Sequence, residues 1–270
     1  MKYSAFPKKQ GLYDPEFEKD SCGVGFVVHM DGKSTHQTVV DGLEILKKLE
    51  HRGACGSDPL TGDGAGILIQ TPHKFFKKAC FAIGFELPER GHYGAGLIFL
   101  SQEQGCREAS VKIFEESLDE EGLVLLGWRD VPVDNSTIGV GAREVEPVIM
   151  QAFVGARLPM KPDELERALY TVRKVTTYRV RKTGLNDDES FYVCSLSSKT
   201  FIYKGQLMCD QLETYFLDLK DPDMESALAL AHSRYSTNTF PSWSRAQPFR
   251  MLAHNGEINT VRGNKNWMHA

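Results

Sequence analysis

The sequence lacks any long hydrophobic run. Its 270 residues are 41% hydrophobic, but the strongly apolar stretches, such as 97–100, have the length of a strand. A membrane-spanning helix needs about 18 or more consecutive apolar residues, so a transmembrane protein is excluded. Residues 1–21 are charged throughout and contain no apolar core of a secretory signal. We therefore expect a cytoplasmic protein without a membrane partner.

Paired cysteines and metal-binding histidine patterns are also missing. The six cysteines are far apart and include no CxxC pair, which argues against a zinc site or a redox dithiol. The eight histidines form neither HxxxH nor HExxH, and no GxSxG nucleophile elbow is present. We therefore expect no metal site, and we expect most cysteines to be buried, reduced thiols.

An excess of positive charge is absent as well. The chain has 32 Lys and Arg against 36 Asp and Glu, for a net charge of -4, which argues against nucleic-acid binding. The glycine-rich loop at 61–66 is not followed by Gly-Lys-Ser/Thr and does not match GxGxxG, so it is not a phosphate loop. Its glycines indicate a tight backbone turn. A small molecule or a protein remains as the expected partner.

The chain divides into a tail and one domain. Residues 1–21 hold two prolines, eight charges and no hydrophobic period, which predicts a segment outside the core. Within 22–270 no linker is evident, although the charged stretch 181–190 is typical of an exposed loop. The sequence therefore predicts a single domain over 22–270.

Hydrophobic periodicity predicts alternating strands and helices. A first strand is expected at 23–28, followed by a helix whose apolar face includes Val39, Leu43 and Leu46 and which ends near His51-Arg52-Gly53. Further strands are predicted at 67–69, 93–100, 148–153, 191–196, 200–203 and 227–231, and helices around 75–80 and at 107–120 and 163–180. Alternation in the first half favours a parallel sheet, whereas the strand pair within 191–203 favours an antiparallel one, so the pattern leaves the sheet type open.

Cys22 is a candidate nucleophile because it begins the first apolar strand directly after the tail. If the chain were cut before it, this residue would carry both a thiol and a free α-amine, whose pKa of about 8 suits a general base. A cysteine buried at the end of a strand is the alternative.

Two later segments carry candidate binding groups. Arg234 follows an apolar strand and precedes Ser236 and Thr237, a pattern that suits recognition of a carboxylate, although an arginine in a surface ion pair is the alternative. Asn255 and Gly256 follow a predicted strand at 249–253 and could direct two donors at one oxyanion, or form an ordinary hairpin turn.

Taken together, these motifs resemble the class II glutamine amidotransferases, which are N-terminal-nucleophile hydrolases. The motifs appear in the family's order, and they are Cys22-Gly23-Val24-Gly25-Phe26, His51-Arg52-Gly53, Arg234-Tyr235-Ser236-Thr237, Ala246-Gln247-Pro248-Phe249 and His254-Asn255-Gly256. Two longer strings are similar to the amidotransferase part of the glutamate synthases, and they are LEHRGACGSDPLTGDGAGILIQTPHKFF and HSRYSTNTFPSWSRAQPFRMLAHNGEINTVRGNKNWM. The resemblance covers residues 22–270.

The resemblance implies an α+β fold, a four-layer αββα sandwich of two antiparallel sheets. It implies that residues 1–21 are a propeptide and that Cys22 is the nucleophile, with Arg52 ordering its surroundings. Asn255 and Gly256 match the family's oxyanion-binding pair. Among the remaining motif residues, Arg234 matches the arginine that binds the glutamine α-carboxylate, with Thr237 as its polar support.

The implied reaction is hydrolysis of L-glutamine to glutamate and ammonia through a thioester on Cys22. In the whole enzyme, ammonia would pass to a downstream synthase domain of the same polypeptide for reductive amination of 2-oxoglutarate. The resemblance places FMN and an iron–sulfur cluster in that domain and implies no cofactor in this segment. A small NADPH-oxidising subunit or ferredoxin is the implied electron-donating partner.

One departure from the family pattern concerns the acidic residue that binds the substrate amino group, because no counterpart is evident before Ala270. We therefore expect an amidotransferase domain that is incomplete at its C-terminal side. Three alternatives stay open: an amidotransferase domain for phosphoribosyl or amino-sugar synthesis, a catalytically inactive module, and a papain-like thiol hydrolase that pairs Cys22 with His232 or His254.

Overall fold

Eight β-strands form two sheets in the computed structural model, which describes residues 8–12, 14, 23–184, 191–254, 256 and 261–270. In chain order the strands are β1 (Val24–Val28), β2 (Ala65–Gln70), β3 (Tyr93–Leu100), β4 (Leu123–Asp130), β5 (Val148–Ala156), β6 (Phe191–Ser197), β7 (Thr200–Gly205) and β8 (Leu228–Ser233). The first sheet has the order β1-β8-β2-β7 and the second the order β4-β5-β3-β6.

Every pair of neighbouring strands in both sheets is antiparallel. The parallel sheet that alternation in the first half favours is therefore wrong. The antiparallel alternative is confirmed, but for a different reason than the one the sequence offers. The two strands of the 191–203 pair are not paired with each other in a sheet, since β6 pairs with β3 and β7 pairs with β2. The short turn between them passes the chain from one sheet to the other.

Seven helices occur within the described residues, and their ends follow ordinary capping chemistry. They are α1 (His36–Lys48), α2 (His73–Ala82), α3 (Gln104–Glu120), α4 (Val140–Glu144), α5 (Pro162–Thr183), α6 (Gln211–Tyr215) and α7 (Val261–His269). The Thr35 side chain accepts the Thr38 N–H at the start of α1. Helix α5 begins with Pro162 and is capped at its C-terminus by Gly184, which has a φ of 66°. No helix of the described part has the length and apolar content needed to span a bilayer.

Apolar side chains hold the helices against the sheets. Helix α1 packs on β1 and β8, and its Gly42 allows close approach, because a Cβ there would lie 2.6 Å from the Ala229 side chain. Helices α3 and α5 cover the second sheet through a cluster that includes Phe114 and Leu169. Burying each such side chain contributes about 1.5–3 kcal/mol. The α+β sandwich of two antiparallel sheets with flanking helices is therefore confirmed.

Two differences from the sequence prediction concern strands. Strand β4 is not among the predicted strands, because it is a sheet edge with half-buried residues and ends on the charged pair Arg129 and Asp130. The strand predicted at 249–253 is wrong. That segment turns back on itself through one bridge between Phe249 and Leu252, with Arg250 at a φ of 58°. A short reversal, and not a strand, therefore precedes His254.

Candidate active site

The end of β8 is the point where the predicted motifs meet. Strand β8 lies between β1 and β2, and the Ser233 N–H donates to the Gly23 carbonyl oxygen at 2.8 Å. On its other side Ser233 pairs with Ala65 of β2. Cys22 lies outside the described residues, but its chain neighbour Gly23 is hydrogen-bonded beside the last residue of β8. The start of β1 and the segment that carries Arg234 are therefore adjacent.

Arg234 lies directly after β8 and is only 7% exposed. Its backbone N–H donates to the Gly64 carbonyl oxygen at 2.8 Å, and its Nη2 donates to Thr239 Oγ1 at 2.8 Å. Gly64 has a φ of +144°, and a Cβ there would lie 3.0 Å from the Ala246 Cβ. The glycine-rich loop at 61–66 bends at Asp63 and needs a glycine at the positive φ of position 64, and it also supports Arg234.

Asp63 is a buried carboxyl that the sequence motifs do not identify. It is 5% exposed, and its Oδ2 accepts the Ser236 N–H at 2.6 Å. Burial raises the pKa of Asp63, while the Ser236 N–H and the Arg234 guanidinium act in the opposite direction. The available signal is an acidic residue between two glycines just before a buried strand. The loop thus adds a carboxyl beside the guanidinium.

The Arg234 guanidinium donates to Thr239, which lies two residues after Thr237. Both threonines are exposed. The Ser236 hydroxyl donates to the Thr239 carbonyl oxygen, which closes a turn over 236–239. The supporting role of Thr237 stays a prediction.

The His51-Arg52-Gly53 motif forms the turn after α1. Residues Glu50–Arg52 make one 3-10 turn, in which the Arg52 N–H donates to the Leu49 carbonyl oxygen at 2.8 Å. A Cβ on Gly53 would lie 2.6 Å from Ser233 Oγ, so the backbone packs tightly against the end of β8. Arg52 is half-buried in this turn. Its predicted place next to the nucleophile region agrees with this packing, and its role stays a prediction.

The backbone of His254 is held by two side chains. Its carbonyl oxygen accepts from Gln247 Nε2 at 2.8 Å and lies 3.0 Å from His232 Nε2, and its N–H donates to Gln247 Oε1 at 2.9 Å. Because a carbonyl oxygen only accepts, His232 Nε2 is the protonated nitrogen. Asn255 lies outside the described residues, and Gly256 is exposed.

A cavity of about 150 Å³ brings two of the predicted groups together. Its lining includes Arg234, Gly256, His232 and Gln247. A guanidinium in such a place can bind a carboxylate, and a backbone N–H such as that of Gly256 can bind a developing oxyanion. No group of three or more His, Cys, Asp or Glu side chains in the described ranges could hold a metal ion. The arrangement suits a substrate that carries both a carboxylate and a reactive carbonyl group.

Comparison with known proteins gives the same family as the motifs. The sequence profile of the class-II glutamine amidotransferases matches residues 22–270. The chain is 49% identical over 271 residues to the glutamate synthase [NADPH] large chain of Bacillus subtilis, covering 100% of this chain and 17% of that protein. It is 48% identical to the glutamate synthase [NADH] of Schizosaccharomyces pombe, covering 98% of this chain and 13% of that protein.

A plant relative shows the same relation in length. The chain is 41% identical to the ferredoxin-dependent glutamate synthase 1, chloroplastic/mitochondrial, of Arabidopsis thaliana, over 97% of this chain and 16% of that protein. The chain therefore spans less than a fifth of the length of the relatives that it matches. The profile match, the two antiparallel sheets and the motifs at the end of β8 agree, and the chain belongs to the class-II glutamine amidotransferases.

Proposed function

We propose that this chain is the glutaminase domain of a glutamate synthase and hydrolyses L-glutamine through Cys22. The observation that carries the proposal is the hydrogen bond from Ser233 to Gly23, which holds the residue after Cys22 next to the segment of Arg234. A nucleophile that directly precedes Gly23 would then lie near a buried guanidinium. Glutamine carries its reactive amide and its α-carboxylate at opposite ends, so it needs these two groups.

Each predicted site residue has one part in the proposal. Arg234 binds the substrate α-carboxylate, and Thr237 gives it polar support. Asn255 and Gly256 donate to the oxyanion, and Arg52 orders the turn near the nucleophile. The cavity that Arg234 and Gly256 share supports this division of roles. Each oxyanion donor of this kind contributes about 3 kcal/mol to transition-state stabilisation.

The proposed reaction has two steps. The Cys22 thiol gives its proton to its own α-amine, directly or through a water, and the sulfur attacks the side-chain amide carbon of glutamine. The C–N bond then breaks, the protonated nitrogen leaves as ammonia, and a γ-glutamyl thioester remains. Water adds to the thioester with the same α-amine as base, which releases glutamate and restores the thiol. The α-amine exists only if residues 1–21 are removed, so the proposal includes that cleavage.

The remainder of the proposal concerns the full-length protein, in which residues 22–270 form the amidotransferase domain. Ammonia would pass to a synthase domain for reductive amination of 2-oxoglutarate, with FMN and an iron–sulfur cluster outside this chain. The relatives are named for NADPH, NADH and ferredoxin. Relatives named for each of these three electron donors share this domain, which supports an amidase site that works in the same way with each electron donor. A reduced Cys22 thiol suits the cytoplasm, the proposed compartment.

The test uses the full-length protein from its source cells and its Cys22→Ser variant. We expect a mature chain that begins at Cys22, by intact mass, and ammonia release from glutamine that Cys22→Ser abolishes. Cys106→Ser is the matched control, because Cys106 is a half-buried thiol in the first turn of α3 on the second sheet.

Three results would contradict parts of the proposal. Full glutamine hydrolysis by Cys22→Ser would remove Cys22 as nucleophile. An active protein that keeps residues 1–21 would favour a papain-like hydrolase. Normal hydrolysis without 2-oxoglutarate-dependent oxidation of a donor would point to an amidotransferase with another acceptor.

A further inference from the structure

The Gln247 side chain makes two hydrogen bonds to a single backbone unit. Its Nε2 donates to the His254 carbonyl oxygen at 2.8 Å and its Oε1 accepts the His254 N–H at 2.9 Å. Gln247 is only 7% exposed, so these bonds form largely away from solvent. Because both the N–H and the C=O are held, the backbone at His254 cannot rotate without breaking one of them. The next two residues in the chain are Asn255 and Gly256.

Gln247 is itself fixed on the first sheet. A Cβ on Gly66 of β2 would lie 2.3 Å from the Gln247 carbonyl oxygen, so the glycine allows the two backbones to touch. The Lys204 ammonium of β7 donates to the carbonyl oxygens of Ser244 and Ala246 at 2.8 and 2.6 Å. Lys204 is fully buried, which makes these charge-assisted bonds strong. The segment that carries Gln247 is thus anchored to β2 and β7.

Aromatic rings complete the surroundings of Lys204. Its Nζ lies 4.5 Å from the centre of the Tyr192 ring and 4.6 Å from the centre of the Phe249 ring, within the range of cation–π attraction. Phe249 lies two residues after Gln247. The same ammonium therefore holds the chain both before and after Gln247, and His232 of β8 also bonds to the His254 carbonyl oxygen.

We propose that Gln247 is a positioning residue for the oxyanion-binding residues Asn255 and Gly256, and that Lys204 holds it in place. The inference rests on the proposed function, which assigns oxyanion binding to these two residues. Oxyanion donors act only when they lie about 2.7–3.1 Å from the position of the charge, and rotation at His254 would move both of them. Gln247 thus affects the transition state and leaves the binding of the α-carboxylate at Arg234 unchanged.

The test compares two Gln247 variants of the full-length protein with the parent. In Gln247→Met the side chain keeps its length and loses both bonds, so we expect kcat for glutamine hydrolysis to fall roughly 10- to 100-fold. We expect KM to stay within about threefold, since the Arg234 site is intact. Alkylation of Cys22 by iodoacetamide needs no oxyanion donors and should keep its rate.

The second variant, Gln247→Glu, gives a pH signature that a loss of folding would not produce. The protonated form of the new carboxyl both donates and accepts, as the glutamine amide does, whereas the ionised form only accepts. The kcat of this variant relative to the parent should therefore recover as the pH falls from about 8 to about 5.5, because burial raises the pKa of a carboxyl. The loss of kcat in Gln247→Met, relative to the parent, should not change with pH.

Gln102→Met is the matched control, because its Nε2 also donates to a carbonyl oxygen at 2.8 Å, that of Glu146. It should keep both kcat and KM. A parent with Cys22-dependent hydrolysis whose Gln247→Met variant keeps kcat, or raises KM alone, overturns the inference. A Gln247→Glu deficit that is constant with pH also overturns it. A parent without Cys22-dependent hydrolysis overturns the proposed function first, and the inference with it.

Discussion

The Ser236 N–H donates to Asp63 Oδ2 at 2.6 Å and joins the loop before β2 to the segment after β8. The bond spans 173 residues of sequence and places a buried carboxyl beside the Arg234 guanidinium. Burial raises the pKa of Asp63 more than these two partners lower it. The carboxyl is therefore harder to ionise in the folded protein than in the unfolded chain.

The raised pKa of Asp63 predicts a pH-dependent loss of stability. Between the unfolded and the folded pKa the folded state binds more protons, so the contribution of Asp63 to stability falls as the pH rises through this window. Asp63→Asn cannot titrate, and its amide oxygen can still accept the Ser236 N–H. We expect the melting temperature of Asp63→Asn, relative to the parent, to rise from about pH 3.5 to about pH 7. A difference in melting temperature that stays constant with pH would contradict the raised pKa of Asp63.

Asp58, in the same loop before β2, predicts the opposite dependence of stability on pH. It accepts the Leu60 N–H at 3.0 Å and the Thr61 hydroxyl at 2.8 Å, and these bonds lower its pKa. Its stabilising contribution is present above the unfolded pKa and is lost as the pH falls through the folded pKa. Asp58→Asn should therefore be less stable than the parent at pH 7 and approach it in acid. Thermal melting of Asp63→Asn and Asp58→Asn in one series of buffers compares how their relative melting temperatures change with pH.

Gly64→Ala tests the loop conformation that lets the Gly64 carbonyl oxygen bind the Arg234 N–H. A φ of +144° is strained for any residue with a Cβ, and the new methyl group would also press on Ala246. We expect a loss of about 1–3 kcal/mol in unfolding free energy, and a higher KM for glutamine because the bond from the Arg234 N–H shifts. Gly56→Ala is the control, since no atom lies within 4 Å of a Cβ there. Equal stability of the two variants, by chemical denaturation, would contradict the prediction.

Local patterns are enough to predict most elements of the fold, but they cannot show how strands pair. The period of α1 and the apolar run of β3 predict these two elements directly. The partition of β6 and β7 between two sheets depends on β3, which lies about 100 residues before β6, and on β2, which lies about 135 residues before β7. Strands that follow each other in the sequence most often pair, so the prediction that β6 and β7 pair follows the usual rule. The correct prediction of an antiparallel sandwich comes from the family resemblance.

The candidate site shows the same limit. Arg234, Asn255 and Gly256 belong to motifs, so their residue types and order in the chain are enough to identify them. Asp63 contacts the backbone of Ser236, which lies 173 residues away in the sequence, and Gln247 contacts the backbone of His254. A lone aspartate in a glycine-rich loop has no local signature for such a contact. Only the register of β2 against β8 brings that loop next to the segment after β8.

Arg234→Lys tests the proposed contact with the substrate α-carboxylate. Lysine keeps the charge, but it cannot bond to Thr239 and bind a carboxylate through two parallel N–H groups. Loss of one charge-assisted bond is worth about 1.5–3 kcal/mol, so we expect KM for glutamine to rise roughly 10- to 100-fold with a smaller effect on kcat. Arg157→Lys is the control, because Arg157 is exposed and pairs with Asp119.

A substrate that lacks the α-carboxylate, 4-aminobutanamide, separates binding of the carboxylate by Arg234 from a purely structural role of Arg234. If Arg234 binds that group, the parent and Arg234→Lys should hydrolyse this amide with the same kcat/KM. An equal deficit on both substrates would mean that Arg234 supports the fold of the segment after β8 and does not contact the carboxylate.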